Sequence, residues 1–143
     1  MKKQINKRIL IAGGVIILLA SVFIYFNVYN KPHIDVSAAT PDLSMEAGVL
    51  LSEFLNNETE ANSKYLEQII EVNGTIAEID TDKNGNAIIS LRKSDDIESV
   101  ICHVLPKENK KANNLKIGQK INIKGICTGY LMDVILVKCV IIN

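Results

Sequence analysis

Three cysteines, Cys102, Cys127 and Cys139, are the residues of this chain whose type alone could carry chemistry. Counted by alternation from their polar neighbours His103, Lys124 and Lys138, all three fall on the apolar face of their strands. In an oxidising compartment two of them can pair while the third stays buried; three plain core thiols are the alternative. Zinc needs ligands that converge, and His103 follows Cys102 directly, so the two side chains leave opposite faces of a strand. The run Asp80-Thr81-Asp82-Lys83-Asn84-Gly85-Asn86 begins like a calcium loop, with oxygens at alternate positions and glycine sixth. Its twelfth position, where a bidentate carboxylate closes such a site, is Leu91, and a hairpin turn accounts for the same residues. No Ser or Cys is spaced with a His and an acid as a nucleophile requires. The expectation is a chain without catalytic residues, metal or cofactor, and not an enzyme.

The elements that position these residues begin with a membrane signal. Ile9 to Tyr29 contains no charged residue, and at about 1.5 Å per residue it covers roughly the 30 Å of a hydrocarbon core. Lys2, Lys3, Lys7 and Arg8 precede it, so residues 1–8 read as a basic cytoplasmic N-terminus and 9–29 as a single-pass signal anchor. Tyr25 and Tyr29 suit the far interface. The rival is a cleaved signal peptide ending near Val36-Ser37-Ala38, against which the run is too long. Residues 30–43, with Pro32, Pro41 and His33, read as a linker. From Lys31 onward the net charge is −4. That balance lacks the basic footprint of phosphate binding.

Residues 44–143 read as one domain. Leu43, Ala47, Leu50, Leu51, Phe54 and Leu55 form one helical stripe with Ser44 as N-cap, and Asn57 with Glu60 forms a capping box for a second short helix ending near Tyr65. The period then switches to two. Strands are expected at 70–76, 87–92, 99–105, 119–128 and 134–142, with a turn at 82–86 and a short lysine-rich helix or turn at 107–114. Gly74 and Gly125 sit mid-strand in similar segments, where glycine serves a sharp bend or a close neighbour. The fold class expected is mainly β: a five-stranded OB-type barrel with an N-terminal helical extension, preceded by one transmembrane helix. A meander sheet with helices on one face is the rival.

Several segments together resemble a known family. They are Asn57 to Tyr65, Ile70-Glu71-Val72-Asn73-Gly74, Val100-Ile101-Cys102, Leu115-Lys116-Ile117-Gly118-Gln119, and Gly125 to Val134 continuing to Lys138-Cys139. The pattern is similar to the tRNA-anticodon-like OB-fold family of bacterial proteins, many of them lipoproteins, and covers about residues 44–143. The resemblance implies an OB barrel outside the cytoplasm and no established activity. A spanning helix stands here in place of a lipidated cysteine.

An OB barrel usually binds on its second and third strands and the loops after its first and fourth. That surface would carry Ser90, Arg92, His103, Lys83 and Tyr130, of which Arg92, His103, Tyr130 and Lys83 are the candidate ligand contacts. Single-strand binding wants several stacking aromatics in a positive groove. Only Phe54, Tyr65 and Tyr130 are aromatic after the linker, and Arg92 and Lys93 are answered by Asp95 and Asp96. The reading is a membrane-anchored, extracytoplasmic binding module for a protein or small ligand, with an oligonucleotide-binding domain as the alternative. Cys102 and Cys139 would be the disulfide if the third and fifth strands are neighbours, with Cys127 the other possible partner.

Overall fold

Alternation from Ile69 onward produces one strand long enough to serve two neighbours, and the barrel is organised around it. The computed structural model describes residues 7–29 and 34–142; Lys2, Lys3 and the linker residues 30–33, His33 among them, lie outside the described residues. The chain divides into two units, Met1–Ile34 and Asp35–Asn143.

In the first unit, helix α1 (Lys7–Ile24) continues into a wider helical turn over Tyr25–Tyr29. The window Leu10–Asn27 is long and apolar enough to cross a membrane. Its polar side chains satisfy themselves on the helix: Ser21 Oγ donates to the Ile17 carbonyl at 2.8 Å and Asn27 Nδ2 to Phe23 at 3.1 Å. Internal satisfaction of this kind is what an apolar solvent demands.

In the second unit, strand β1 (Leu43–Glu46) leads to α2 (Ala47–Asn56), α3 (Glu58–Tyr65), β2 (Ile69–Thr81), β3 (Ala87–Leu91) and β4 (Val100–Val104). A 3₁₀ turn at Pro106–Glu108 and α4 (Asn109–Ala112) precede β5 (Lys120–Leu131) and β6 (Asp133–Ile141). The first half of β2 pairs antiparallel with β5, from Ile69↔Ile126 to Thr75↔Lys120, and the second half with β3. The partner changes between Thr75 and Ile76, just past Gly74, where a Cβ would stand 3.1 Å from the Cβ atoms of both Ala47 and Leu91. β3 pairs with β4, β4 runs parallel to β6, and β6 returns to β5, so β2–β6 close into a five-stranded barrel of OB topology. The core holds Ile70, Val72, Ile89, Leu91, Val100, Ile123, Val134 and Leu136, with Leu50, Leu51, Phe54 and Tyr65 from the two helices laid over one end. Each such aliphatic or aromatic side chain, fully buried, contributes about 1.5–3 kcal/mol.

Three expectations are corrected by long-range contacts. Residues 35–43 were expected as linker, yet Val36 is buried against Ile69 and Val140, Lys124 Nζ donates to the carbonyls of Ser37 and Ala39, and Asp42 accepts from the Ile69 amide. Ser44 was expected to cap α2, but Leu43–Glu46 pairs as a parallel strand with Ile70–Asn73, and the helix starts after Glu46, which makes no side-chain cap bond. Leu55, expected in the core stripe, is exposed. The second cap is as expected: Asn57 Oδ1 accepts from the Glu60 amide and Asn57 Nδ2 donates to the Glu60 carboxylate.

Candidate functional site

The four residues expected on one ligand surface stand at two ends of a strand pair. Lys83 is exposed in the β2–β3 hairpin. His103 is half-buried on the outer face of β4, opposite Ile88. Their neighbour Asp82 is committed to the turn: its Oδ1 accepts from the Asn84 and Asn86 amides and its Oδ2 from Asn86 Nδ2. These bonds, chiefly those from Asn86, hold its carboxyl below the usual range, with a smaller pull from His103. Arg92 lies past the opposite end of β3, where Nη1 donates to the Ile97 carbonyl at 3.2 Å. The five residues of β3 separate Lys83 from Arg92 by about 16 Å along the strand alone. Tyr130 stacks on Phe54 of α2, with ring centroids 6.1 Å apart and planes at 22°. It therefore packs at the helix-covered end, away from His103. Lys83 with His103, and Arg92 with Tyr130, belong to opposite ends of the barrel.

Alternation missed a second feature of the wall. On the outer face of β3, β4 and β6, Ser90 stands opposite Ile101 and Ile101 opposite Ile135, with Ile88 and His103 in the adjoining row. All five are half-buried, and the isoleucines are outside the core cluster. The signal in the chain was the apolar character of both parities in Ala87–Ile89, Val100–Cys102 and Val134–Val137, which marks a strand covered on both faces. The exposure of apolar loop residues was missed: Ile97, Leu131 and Met132 are 86%, 78% and 78% exposed.

Cys102, Cys127 and Cys139 are free and buried inside the barrel. Between β4 and β6 the register advances from Cys102↔Leu136 to Val104↔Cys139, so β6 carries one extra residue. Lys138 absorbs it at φ 54°. The bulge turns Cys139 inward beside Cys102, with which its thiol makes a hydrogen bond. Burial, then this neighbour, pushes the Cys139 thiol well up; burial also raises Cys127. Thiols held protonated in this way are poor nucleophiles.

The helices are joined by one polar clamp. The Tyr65 hydroxyl donates to Glu53 Oε2 at 2.6 Å, and Lys64 Nζ reaches the same oxygen at 2.9 Å while lying 4.8 Å from the Tyr65 ring centroid. The Tyr65 bond, then Lys64, lowers the Glu53 carboxyl; burial, then Glu53, raises the Tyr65 phenol. Among the described residues, no three His, Cys, Asp or Glu side chains converge as a metal site would require.

This geometry presents surfaces for binding. The solved structures it is similar to include a lipoprotein of Klebsiella pneumoniae, provisionally described as nucleic acid-binding. That structure has a TM-score of 0.60 at 18% identity, covering 79% of this chain and all of that one. Fainter likenesses are to the Schizosaccharomyces pombe Stn1–Ten1 complex (TM-score 0.42, 16% identity, 52% of this chain and 58% of that) and to an aspartyl-tRNA synthetase of Leishmania major (TM-score 0.47, 8% identity, 79% and 23%). No curated protein matches the sequence. The sequence profile of the tRNA_anti-like family matches residues 1–141, nearly the whole chain, and with the barrel it presents this protein belongs to that family.

Proposed function

We propose that the chain is a single-pass membrane protein with its basic N-terminus in the cytoplasm and residues 35–143 outside, and that the barrel works by binding a protein partner rather than by catalysis. The observation that carries this reading is the outer face of β3, β4 and β6. Ile88, Ile101 and Ile135 make a half-buried apolar strip beside His103 and Ser90, with no aromatic ring among them to stack a base. Four cations ahead of the apolar helix support the orientation. In the oxidising compartment this implies, Cys102 and Cys139 form the disulfide while the chain folds and both are still accessible, by exchange with an oxidised dithiol carrier that leaves as the dithiol, and Cys127 stays a thiol. Non-reducing mass spectrometry of protein taken from membranes should find it lighter by two hydrogens, with Cys127 alone alkylated.

The test of the partner class places a photo-crosslinking side chain at Ser90 of the full-length protein in intact cells. A discrete protein adduct, lost when Ile101→Asp is added, is the expected result. The second reading, single-stranded nucleic acid, is favoured by the description of the Klebsiella relative. Anisotropy of labelled DNA and RNA with the full-length protein in nanodiscs decides between them. Binding that weakens steeply from 50 to 200 mM salt would replace the protein reading.

A further inference from the structure

The loop between β3 and β4 and the tip of the β5–β6 hairpin are pinned to each other. Asp133 Oδ1 accepts from both the amide and the hydroxyl of Ser99, at 2.7 and 2.8 Å, and the Val134 amide donates to the Ser99 carbonyl. Arg92 braces the same loop through the Ile97 carbonyl. These bonded loops nevertheless turn Ile97, Leu131 and Met132 into water. Scattered single exposed apolar residues are ordinary, but Ile97 and Met132, from the two pinned loops, line one surface, and Leu131 precedes Met132 at the hairpin tip.

That surface is a cleft of about 200 Å³ lined by Ile97, Glu98, Tyr130, Met132 and Asp133. Its Tyr130 wall is immobilised by the Phe54 ring behind it. Carboxylates outnumber cations around the cleft. After burial, the groups that raise the Tyr130 phenol are the carboxylates of Glu98, Asp133 and Glu58, and Asp95 and Asp96 lie in the same loop as Glu98. Of the cations on that loop, Lys93 pairs with Glu46 at 3.0 Å, and Arg92, held on the Ile97 carbonyl, keeps its charge at the edge of the cleft against the carboxylates. The carboxylate excess disfavours a phosphate backbone here. A long side chain with an apolar stem and a positive end matches every wall.

We propose that this cleft seats a lysine or arginine side chain of a protein partner, with the stem against Ile97 and Met132 and the cation between the Tyr130 ring and Glu98. Aromatic faces and carboxylates both favour a cation, and a lysine or arginine stem covers apolar surface while its head stays polar. The inference rests on the reading of the barrel as a protein-binding module, and it places the anchoring contact at the hairpin tip.

The experiment uses the full-length protein in intact cells, with a photo-crosslinking side chain at Leu131 in one strain and at Ser90 in another. A protein adduct at Leu131 that falls at least tenfold with Glu98→Lys and recovers with Glu98→Asp is expected, and the attached partner peptide should contain or adjoin a Lys or Arg. Thermal melts of both Glu98 variants check that the barrel still folds. An adduct at Leu131 indifferent to Glu98→Lys overturns the inference. So does an adduct at Ser90 with none at Leu131, which leaves the binding-module reading intact. Absence of protein adducts at both positions, or attachment of nucleic acid, removes both.

Discussion

The two ends of the barrel are closed by different means. At one end α2 and α3 lay Leu50, Phe54 and Tyr65 over the strands, all at or near zero exposure, and Phe54 carries Tyr65 and Tyr130 on its ring, at 6.0 and 6.1 Å. At the other end the segment 106–115 contributes only Ala112 and part of Leu115 to the core. There the closure is polar. Asn109 Oδ1 accepts from the Ala87 amide and Asn109 Nδ2 donates to the Gly85 carbonyl, while Lys111 reaches the Ile141 carbonyl and pairs with Glu108 at 2.8 Å. Apolar area seals one mouth and hydrogen bonds to strand ends seal the other. Energy at the helical mouth is concentrated in a few large side chains and at the other mouth is spread over small directional contacts. The exposed apolar tip accompanies the first.

The largest break in that contrast is expected from Phe54→Ala. It removes a side chain 1% exposed and both ring contacts, and should cost about 3–5 kcal/mol in a urea titration of the full-length protein in detergent. A loss below 1 kcal/mol would show that the helices are not the seal. In the wall between the two mouths, Gly125→Ala comes next. The added Cβ would stand 2.5 Å from Cys139 Sγ and 3.0 Å from the Val137 carbonyl, so one neighbour must move. Overpacking of this kind should cost about 1–3 kcal/mol. The companion Cys139→Ala should recover part of that loss in a double-mutant cycle, whereas strict additivity would mean that the sulfur was not the obstacle.

What the chain betrayed in advance was local. Alternation through Ile70, Val72 and Ile76 gave the first barrel strand its start, Asn57 with Glu60 its neighbour helix a cap, and Asp82 to Asn86 a turn, because each signal is complete within a few residues. The rest depends on partners far along the chain. Val36 has no periodic neighbour to announce that it meets Ile69 and Val140, and pairing with β2 overrides the capping preference of Ser44. The candidate site failed as a cluster for a related reason. The strand expected at 87–92 already set Lys83 before it and Arg92 at its end, but no local signal shows which ends of the other strands they meet, and the register shift between Cys127 and Gly129 breaks the parity that would have placed Tyr130. Loop residues such as Ile97 and Met132 belong to no period. Their exposure emerges only when the strands are in place.

The polar mouth should respond more weakly. Asn109→Ala removes the acceptor of the half-buried Ala87 amide bond and the donor to Gly85, at an expected cost of about 1–2 kcal/mol, with the Phe54→Ala loss unchanged when the two are combined. The smallest effect lies in the clamp on the helices. Glu53 has a lowered carboxyl pKa in the folded chain, so its contribution is present above the unfolded value and fades as pH falls through the folded one. Tyr65 is the opposite case: its phenol is raised, so the contribution is present below the unfolded value near 10 and fades as pH climbs through the folded one. The clamp is therefore strongest between these limits. Because the Glu53 side chain is 37% exposed, solvent screening holds the acid limb to about 1 kcal/mol or less. Urea midpoints measured from pH 3 to 7 should show this limb in the native sequence and lose it in Glu53→Gln, while Asn109→Ala retains it in full. A limb that disappeared with Asn109→Ala instead would mean that the two mouths are coupled through the barrel, and the contrast between them would fail.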